Sequence, residues 1–433
     1  MATDALTGRV CEYVDAQRDT LAAIAADLVR IPSENTPPVG AERSCQERIA
    51  AALDALEWDV RLYEPTAVSG VAEHPLFWPG RDYRGRPNVA GRRKGTGGGR
   101  SLVLSGHIDT VPRGSTQEWT RNPFGGEIEG NRLYGRGSND MKSGVATNLF
   151  VAEAIDELGL QLAGDLVFET VVDEEFGGVN GTLAGRLAGY NGDAAVISEP
   201  SFLRICAAQR GGRTAHITFA AKGGVLTDGA FPAGVVDQLG HFLGAVKTFA
   251  AGRRGAAPAH PLYSACPDPV PVSIMKIFTG PWGMGEPMTV PEACRVEMFW
   301  QAMPGEAQAD VDRQFAEWFE WVMQSAPELY RVRPRVEFPI RWLPGSAISP
   351  EEPLVQELSG AARDVLGAPP PVAGIEGPCD MYVFHQFGIP AVLWGARGGN
   401  THAADEYVEL DSVAKAAKSL LLFICRWCGA RAS

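Results

Sequence analysis

Four short apolar runs constrain the fold of this 433-residue chain more than any other feature: "SLVLS" (101–105), "LVFETVV" (166–172), "AAVI" (194–197) and "PAVLW" (390–394). Each is too short for a stable helix, and each reads as a strand covered on both sides rather than a half-exposed one. Helical patterns lie between them. Val145, Leu149, Ala152 and Ile155 make one face of a helix starting near 141, and "PLVQELSGAARDVLG" and the stretch from Asp411 onward give two more. In the first 60 residues, Leu21, Ile24 and Leu28 form one stripe and Cys45, Ile49, Leu53 and Leu56 another, so two helices are expected there. Strands alternating with helices predict an α/β domain: a mixed sheet with helices on both faces.

The texture changes after about residue 210. "TAHITFAA" alternates like a half-exposed strand, "PVSIMKIF", "CRVEMFW" and "RVEF" are strand-like, and "VVDQLGHFLGAV" and "VDRQFAEWFEWVM" have helical periodicity. This predicts a smaller α+β domain inserted into the first, with 1–211 and 345–433 forming one domain and 212–344 the other. A chain of this length is too long for one ordinary core, which agrees with two domains.

A net charge of −13 argues against nucleic acid or an anionic membrane as partner, since both require a basic footprint. No apolar stretch approaches the roughly 20 residues that span a bilayer. The opening "MATDALTGRV" lacks the basic lead and apolar core of a secretory leader, and the eight scattered cysteines read as buried thiols, so a cytoplasmic location is expected. Cys425 and Cys428 in "CRWC" lie in an apolar helical run with no second Cys or His pair at zinc-ribbon spacing, and read as helix packing.

Polar clusters follow the strand ends and precede a helix. "SGHIDTVP" supplies His107 and Asp109, "GRGSNDMKSG" supplies Asp140, "DEEFGG" supplies Glu174 and Glu175, "ISEPS" supplies Glu199, and "GGNTHAADEY" supplies His402. Taken singly, each has an ordinary explanation as a turn former or helix cap. Together they place imidazoles and carboxylates where open α/β sheets gather ligands, and the mixture suits zinc, manganese or cobalt. Glu174 and Glu175 stand side by side after an apolar strand. Neighbouring strand residues face opposite ways, so the two acids should do different jobs.

As a set, the HxD, NDMKSG, DEE, SEP and HxxDEY motifs resemble the dimetal aminoacylase, acetylornithine deacetylase, succinyl-diaminopimelate desuccinylase and carboxypeptidase G family, from "LVRIPSENTPPVG" to "HAADEYVEL". The resemblance implies a metallopeptidase-like catalytic domain interrupted by a lid that mediates homodimerisation, and a small-molecule substrate. It also implies two divalent metal ions, zinc, cobalt or manganese. Asp140 would bridge them, His107 and Glu199 would complete one site, and Glu175 and His402 the other. Asp109 would accept the second N–H of His107, and a cis peptide would follow Asp140. Glu174 would act as general base on metal-activated water, giving hydrolysis of an amide-type C–N bond, deacylase-like.

The chain departs from the family pattern in the lid. Thr227, with Asp228 beside it, stands where a histidine usually reaches the substrate oxyanion. Met288 stands for an asparagine, and Gln301 for an arginine that holds a substrate carboxylate. His260 in a loop is the best substitute donor, ahead of His216 and His241, and Arg210 with Arg213 offers anion binding. The departures leave room for an aminohydrolase acting on an aryl amine or cyclic amide. A metal-binding homologue without catalysis is a further alternative, against which the retention of Glu174 speaks, because binding alone needs no base.

Overall fold

The computed structural model describes residues 2–222, 234–280 and 290–432. Its contacts divide the chain into two units, one of residues 1–208, 347–375 and 379–433, the other of residues 209–346 and 376–378. Gln209 to Gly211 and Gly345 to Ser346 therefore group with the inserted unit rather than the flanking one, and so do Glu376 to Pro378.

The apolar runs become the parallel centre of a nine-stranded mixed sheet. We label them β1 (Leu102–His107), β2 (Leu166–Val171), β3 (Ala194–Ile197) and β4 (Ala391–Leu393). They lie in the order β4-β3-β1-β2. Antiparallel strands flank them: Asn88–Arg93 and then Asp59–Tyr63 beyond β2, and Ile205–Gln209 beyond β4. Successive strand residues point to opposite faces, and both sets are buried here. Val103, Val167, Ala195, Ile197, Ala391 and Leu393 pack with Met381 and Phe384 on one side, while Leu104, Phe168, Val196 and Val392 are equally inaccessible on the other. Double coverage explains why the runs read as continuously apolar.

Three helices, not two, fill the first 60 residues: Ala2–Ala16, Arg18–Arg30 and Arg43–Ala55. The first escaped the sequence reading because its apolar positions are sparse; Val10 and Val14 are its fully buried ones. The register places His107 opposite Val171, and Ile197 opposite both Ser105 and Leu393, so all four parallel strands end at one edge of the sheet. Helix Ser143–Glu157 approaches that edge closely: a Cβ on Gly144 would lie 1.9 Å from the Ser198 carbonyl oxygen, so only glycine fits.

Beneath this edge lies a fully buried ion pair. Glu169 of β2 accepts hydrogen bonds from Ser105 at 2.9 Å and from Arg186 at 2.5 Å, and the Arg186 guanidinium also stacks 4.1 Å from the Phe384 ring centroid.

The second unit contains a four-stranded antiparallel sheet in the order Val272–Phe278, Ala293–Ala302, Gly211–Ala220, Arg335–Glu337. Helices Val235–Ala256 and Gln308–Ser325 pack on it through Phe242, Phe249, Phe315 and Trp318, against Ile217, Phe219 and Trp300.

Candidate metal centre

Each parallel strand delivers its polar residue at or after its C-terminal end. His107 is the final residue of β1, Glu174 and Glu175 follow β2, Glu199 follows β3, and His402 sits in the loop after β4. Asp140 occupies a kinked turn ahead of helix Ser143–Glu157, and its peptide bond to Met141 is cis.

The two carboxylate oxygens of Asp140 face different histidines. Oδ1 lies 3.1 Å from His107 Nε2, and Oδ2 lies 3.3 Å from His402 Nε2. Around His107 Nε2 are also Glu199 Oε1 at 3.5 Å and Glu174 Oε2 at 3.9 Å; Glu175 Oε2 lies 2.8 Å from His402 Nε2. Ligand atoms of His107, Glu174 and Glu199 fall within 4.8 Å of one another, as do those of His107, Asp140 and Glu175. The structure thus brings together every residue that the motifs nominated for metal binding.

Asp109 differs from expectation. His107 Nδ1 donates to the main-chain carbonyl of Asp109 at 2.9 Å, while the Asp109 carboxylate is 3.7 Å away. A carbonyl only accepts, so Nδ1 carries a proton, and Nε2 is the nitrogen that faces the carboxylates and would be free to ligate a metal. The Asp109 carboxylate instead accepts the backbone N–H groups of Glu174 and Glu175, each at 3.1 Å, and Asn35 Nδ2 at 2.9 Å. It holds the turn that aims the two glutamates. Asn35 also donates to Asp173 at 3.0 Å, and Tyr83 donates to Asp173 at 2.6 Å. This support was missed in the sequence, although Asn35 lies within the quoted "SENTPPVG".

The cluster holds four carboxylates against two histidines. Among the described residues no Lys or Arg pairs with Asp140, Glu174, Glu175 or Glu199; their ionic partners are the two histidines. Burial pushes the Glu175 carboxyl up to about 7, with Asp140 adding and His402 opposing. Burial also raises Glu174 and Glu199 well above the usual carboxylate range, His107 pulling the other way. Burial would lower the pKa of His402, yet Asp140 and Glu175 carry it up to about 11. Four converging, largely enclosed carboxylates facing only two imidazoles fit divalent metal ions.

A further buried acid stands nearby. Asp380 accepts from Thr182 Oγ1, and burial pushes its carboxyl up to about 7. Nothing in the motifs pointed to it.

The lid residues are less uniform. Thr227, Asp228 and Met288 lie outside the described residues. Gln301 is buried and donates from Nε2 to the Glu376 carbonyl at 2.6 Å. Arg210 is gripped by the carbonyls of Glu376, Asp268 and Pro269 at 2.9–3.1 Å, and no carboxylate among the described residues pairs with it. Arg213 is committed to Asp312 through two bonds of 2.9 and 3.0 Å. His260 caps the turn Pro261–Tyr263 through Nδ1, His216 pairs with Glu297, and His241 bonds Tyr330.

Comparison with known proteins agrees with the motif reading. A relative named N-formyl-4-amino-5-aminomethyl-2-methylpyrimidine deformylase, from Bacillus subtilis, is 24% identical over 96% of both chains. A succinyl-diaminopimelate desuccinylase of Cereibacter sphaeroides is 39% identical, but over only 37% of each chain. The solved structure of the dipeptidase Dug1p from Saccharomyces cerevisiae shares the fold, with a TM-score of 0.78 and 15% identity over 99% of both chains. Residues 103–426 match peptidase family M20/M25/M40, and the chain belongs to that family of metal-dependent hydrolases acting on amide-type C–N bonds.

Proposed function

We propose that the chain removes a small acyl group from an amine with the help of two divalent ions, which Asp140 would share, with His107 and Glu199 completing one site and Glu175 and His402 the other. The observation that carries this reading is the split of the Asp140 carboxylate, one oxygen toward each histidine. Divalent ions held by these residues would supply Lewis acidity and lower the pKa of a bound water. The chain's own residues do the rest. Glu174 takes the proton of the attacking water and returns it to the departing amine, and burial, by raising its carboxyl above the usual carboxylate range, favours holding that proton between the two transfers. Asp109 holds the backbone of Glu174 and Glu175 so that base and ligand keep separate directions.

The substrate is an N-acyl amine without an α-carboxylate. Gln301 stands where the family pattern places a carboxylate-holding arginine, and its amide is already engaged with the Glu376 carbonyl. A relative that matches over 96% of both chains is named for a formylated aminomethylpyrimidine, which agrees with such a substrate. Arg210, which pairs with no carboxylate among the described residues, and His260 are the remaining candidates for contacts to the substrate in the second unit. Zinc, cobalt and manganese all suit three carboxylates with two imidazoles.

Assays of metal-loaded protein test this directly. N-formyl arylmethylamines are expected to be hydrolysed, and N-acetylornithine and N-acetylmethionine only weakly. A kcat/KM of about 10⁴ M⁻¹s⁻¹ or more on either amino acid derivative would overturn the assignment. An aryl amine or cyclic amide as the better substrate would favour the aminohydrolase alternative.

The second unit supports pairing with a second copy. Its edge strand Val272–Phe278 exposes Met275, Ile277 and Phe278, an apolar edge of the kind that invites strand pairing. Sedimentation at twice the chain mass checks it, and a monomer would refute it. A cytoplasmic location is supported by eight cysteines that are all thiols, Cys425 and Cys428 among them, both packed in the interior. No helix among the described residues is long and apolar enough to cross a membrane. Thiol titration of the protein in extracts of its native cell checks the location, and a disulfide-bonded form would count against it.

A further inference from the structure

Glu406 is fully buried and takes part in none of the chemistry above. Four donors converge on its carboxylate. Oε1 accepts the backbone N–H groups of Asn139 and Asp140, each at 3.0 Å, and Oε2 accepts the Gly137 N–H at 3.1 Å and Arg136 Nη1 at 2.7 Å. Both oxygens are used as acceptors, which is the pattern of an ionised carboxylate.

The position of these donors matters more than their number. Three are main-chain N–H groups in the turn that ends on Asp140, one of them Asp140's own. Fixing these peptide planes fixes the Asp140 Cα, and the short side chain then has only two torsions with which to aim its carboxylate. Glu406 itself belongs to the loop that carries His402. That loop is joined to the turn by further contacts: the Gly135 N–H donates to the Glu406 carbonyl at 2.9 Å, and Asn139 Nδ2 donates to Thr401 Oγ1 at 2.7 Å. The two segments also touch where a Cβ on Gly398 would lie 2.2 Å from Asn139 Oδ1. His402 is held with a positive φ of 62°, a conformation that surrounding contacts must maintain.

We infer that Glu406 is a positioning residue, whose carboxylate sets the distance between Asp140 and His402 and so preforms the metal centre before any ion arrives. The inference rests on the ligand set proposed above. Metal–ligand bonds tolerate errors of only about 0.2 Å. Three N–H bonds to one buried anion hold the turn in place without the ion having to organise it.

The test is metal affinity, measured by competition between the metal-free protein and a chromophoric chelator for cobalt(II), on wild type, Glu406→Gln, Glu406→Asp and Glu169→Gln. An amide at 406 must turn its NH₂ toward donors it cannot accept from. Aspartate keeps the charge but withdraws it by about 1.5 Å, one carbon–carbon bond. Both are expected to weaken cobalt binding by about 10–100-fold, the usual effect of losing an outer partner. Because Asp140 is shared, both ions should be affected. Glu169→Gln breaks an equally buried ion pair that touches no ligand turn, so it should lower stability and leave affinity unchanged. If Glu406→Gln does not fold, Glu406→Asp decides the matter alone. Wild-type affinity in the folded 406 variants would overturn the inference, as would an equal loss in Glu169→Gln, which would mean general loosening. Failure of the ligand set shows separately, as wild-type protein that takes up no metal.

Discussion

Glu174→Gln is expected to leave folding and metal content in place while turnover falls by about 10²–10⁴-fold, or further because one group serves two proton transfers. Glutamine keeps the size of the side chain, and the backbone N–H of residue 174 still has Asp109 to bond. What is lost is the capacity to take a proton from water. The variant also separates two roles that geometry alone allows, since Glu174 lies close enough to His107 and Glu199 to serve as a ligand. A ligand role would show as metal lost together with activity. Substantial residual turnover would mean that another group is the base, and buried Asp380 would be the first to examine.

Asp140→Asn is expected to act at a different level, removing both ions and all measurable turnover. An amide has one oxygen instead of two and little charge. Without the shared carboxylate, His107 with Glu199 and His402 with Glu175 are each left as a two-residue site. The loss in metal affinity should therefore exceed the about 10–100-fold expected for an outer partner such as Glu406. His402→Ala, by contrast, should weaken mainly the ion held with Glu175. Metal analysis after dialysis, beside a turnover assay, checks both variants; retention of two ions by Asp140→Asn would contradict the bridging role.

The legible and illegible parts of this protein divide along a physical line. The central strands could be read because burial on both faces leaves little room for polar residues, and their ends because the candidate ligands cluster where the parallel strands stop. Helix Ala2–Ala16, by contrast, buries few large apolar side chains, and strand Asp59–Tyr63 at the sheet edge is mostly exposed, so neither has a strong periodic signal. The candidate ligands were visible as motifs. What supports them was not, because it is made by pairs remote in sequence: Asn35 with Asp109, Tyr83 with Asp173, and Glu406 with the turn 137–140. Asp109 shows the limit most clearly. Its place in HxD suggested a side-chain bond to His107, but the main-chain carbonyl does that work and frees the carboxylate for the backbone of Glu174 and Glu175.

Anomalous X-ray scattering from crystals of the protein loaded with zinc or cobalt tests the central claim most directly. The account predicts two peaks per chain about 3.5–4 Å apart, with one Asp140 oxygen on each, His107 beside one peak and His402 beside the other. A single peak in protein that is fully active, or two peaks that do not share Asp140, would contradict it.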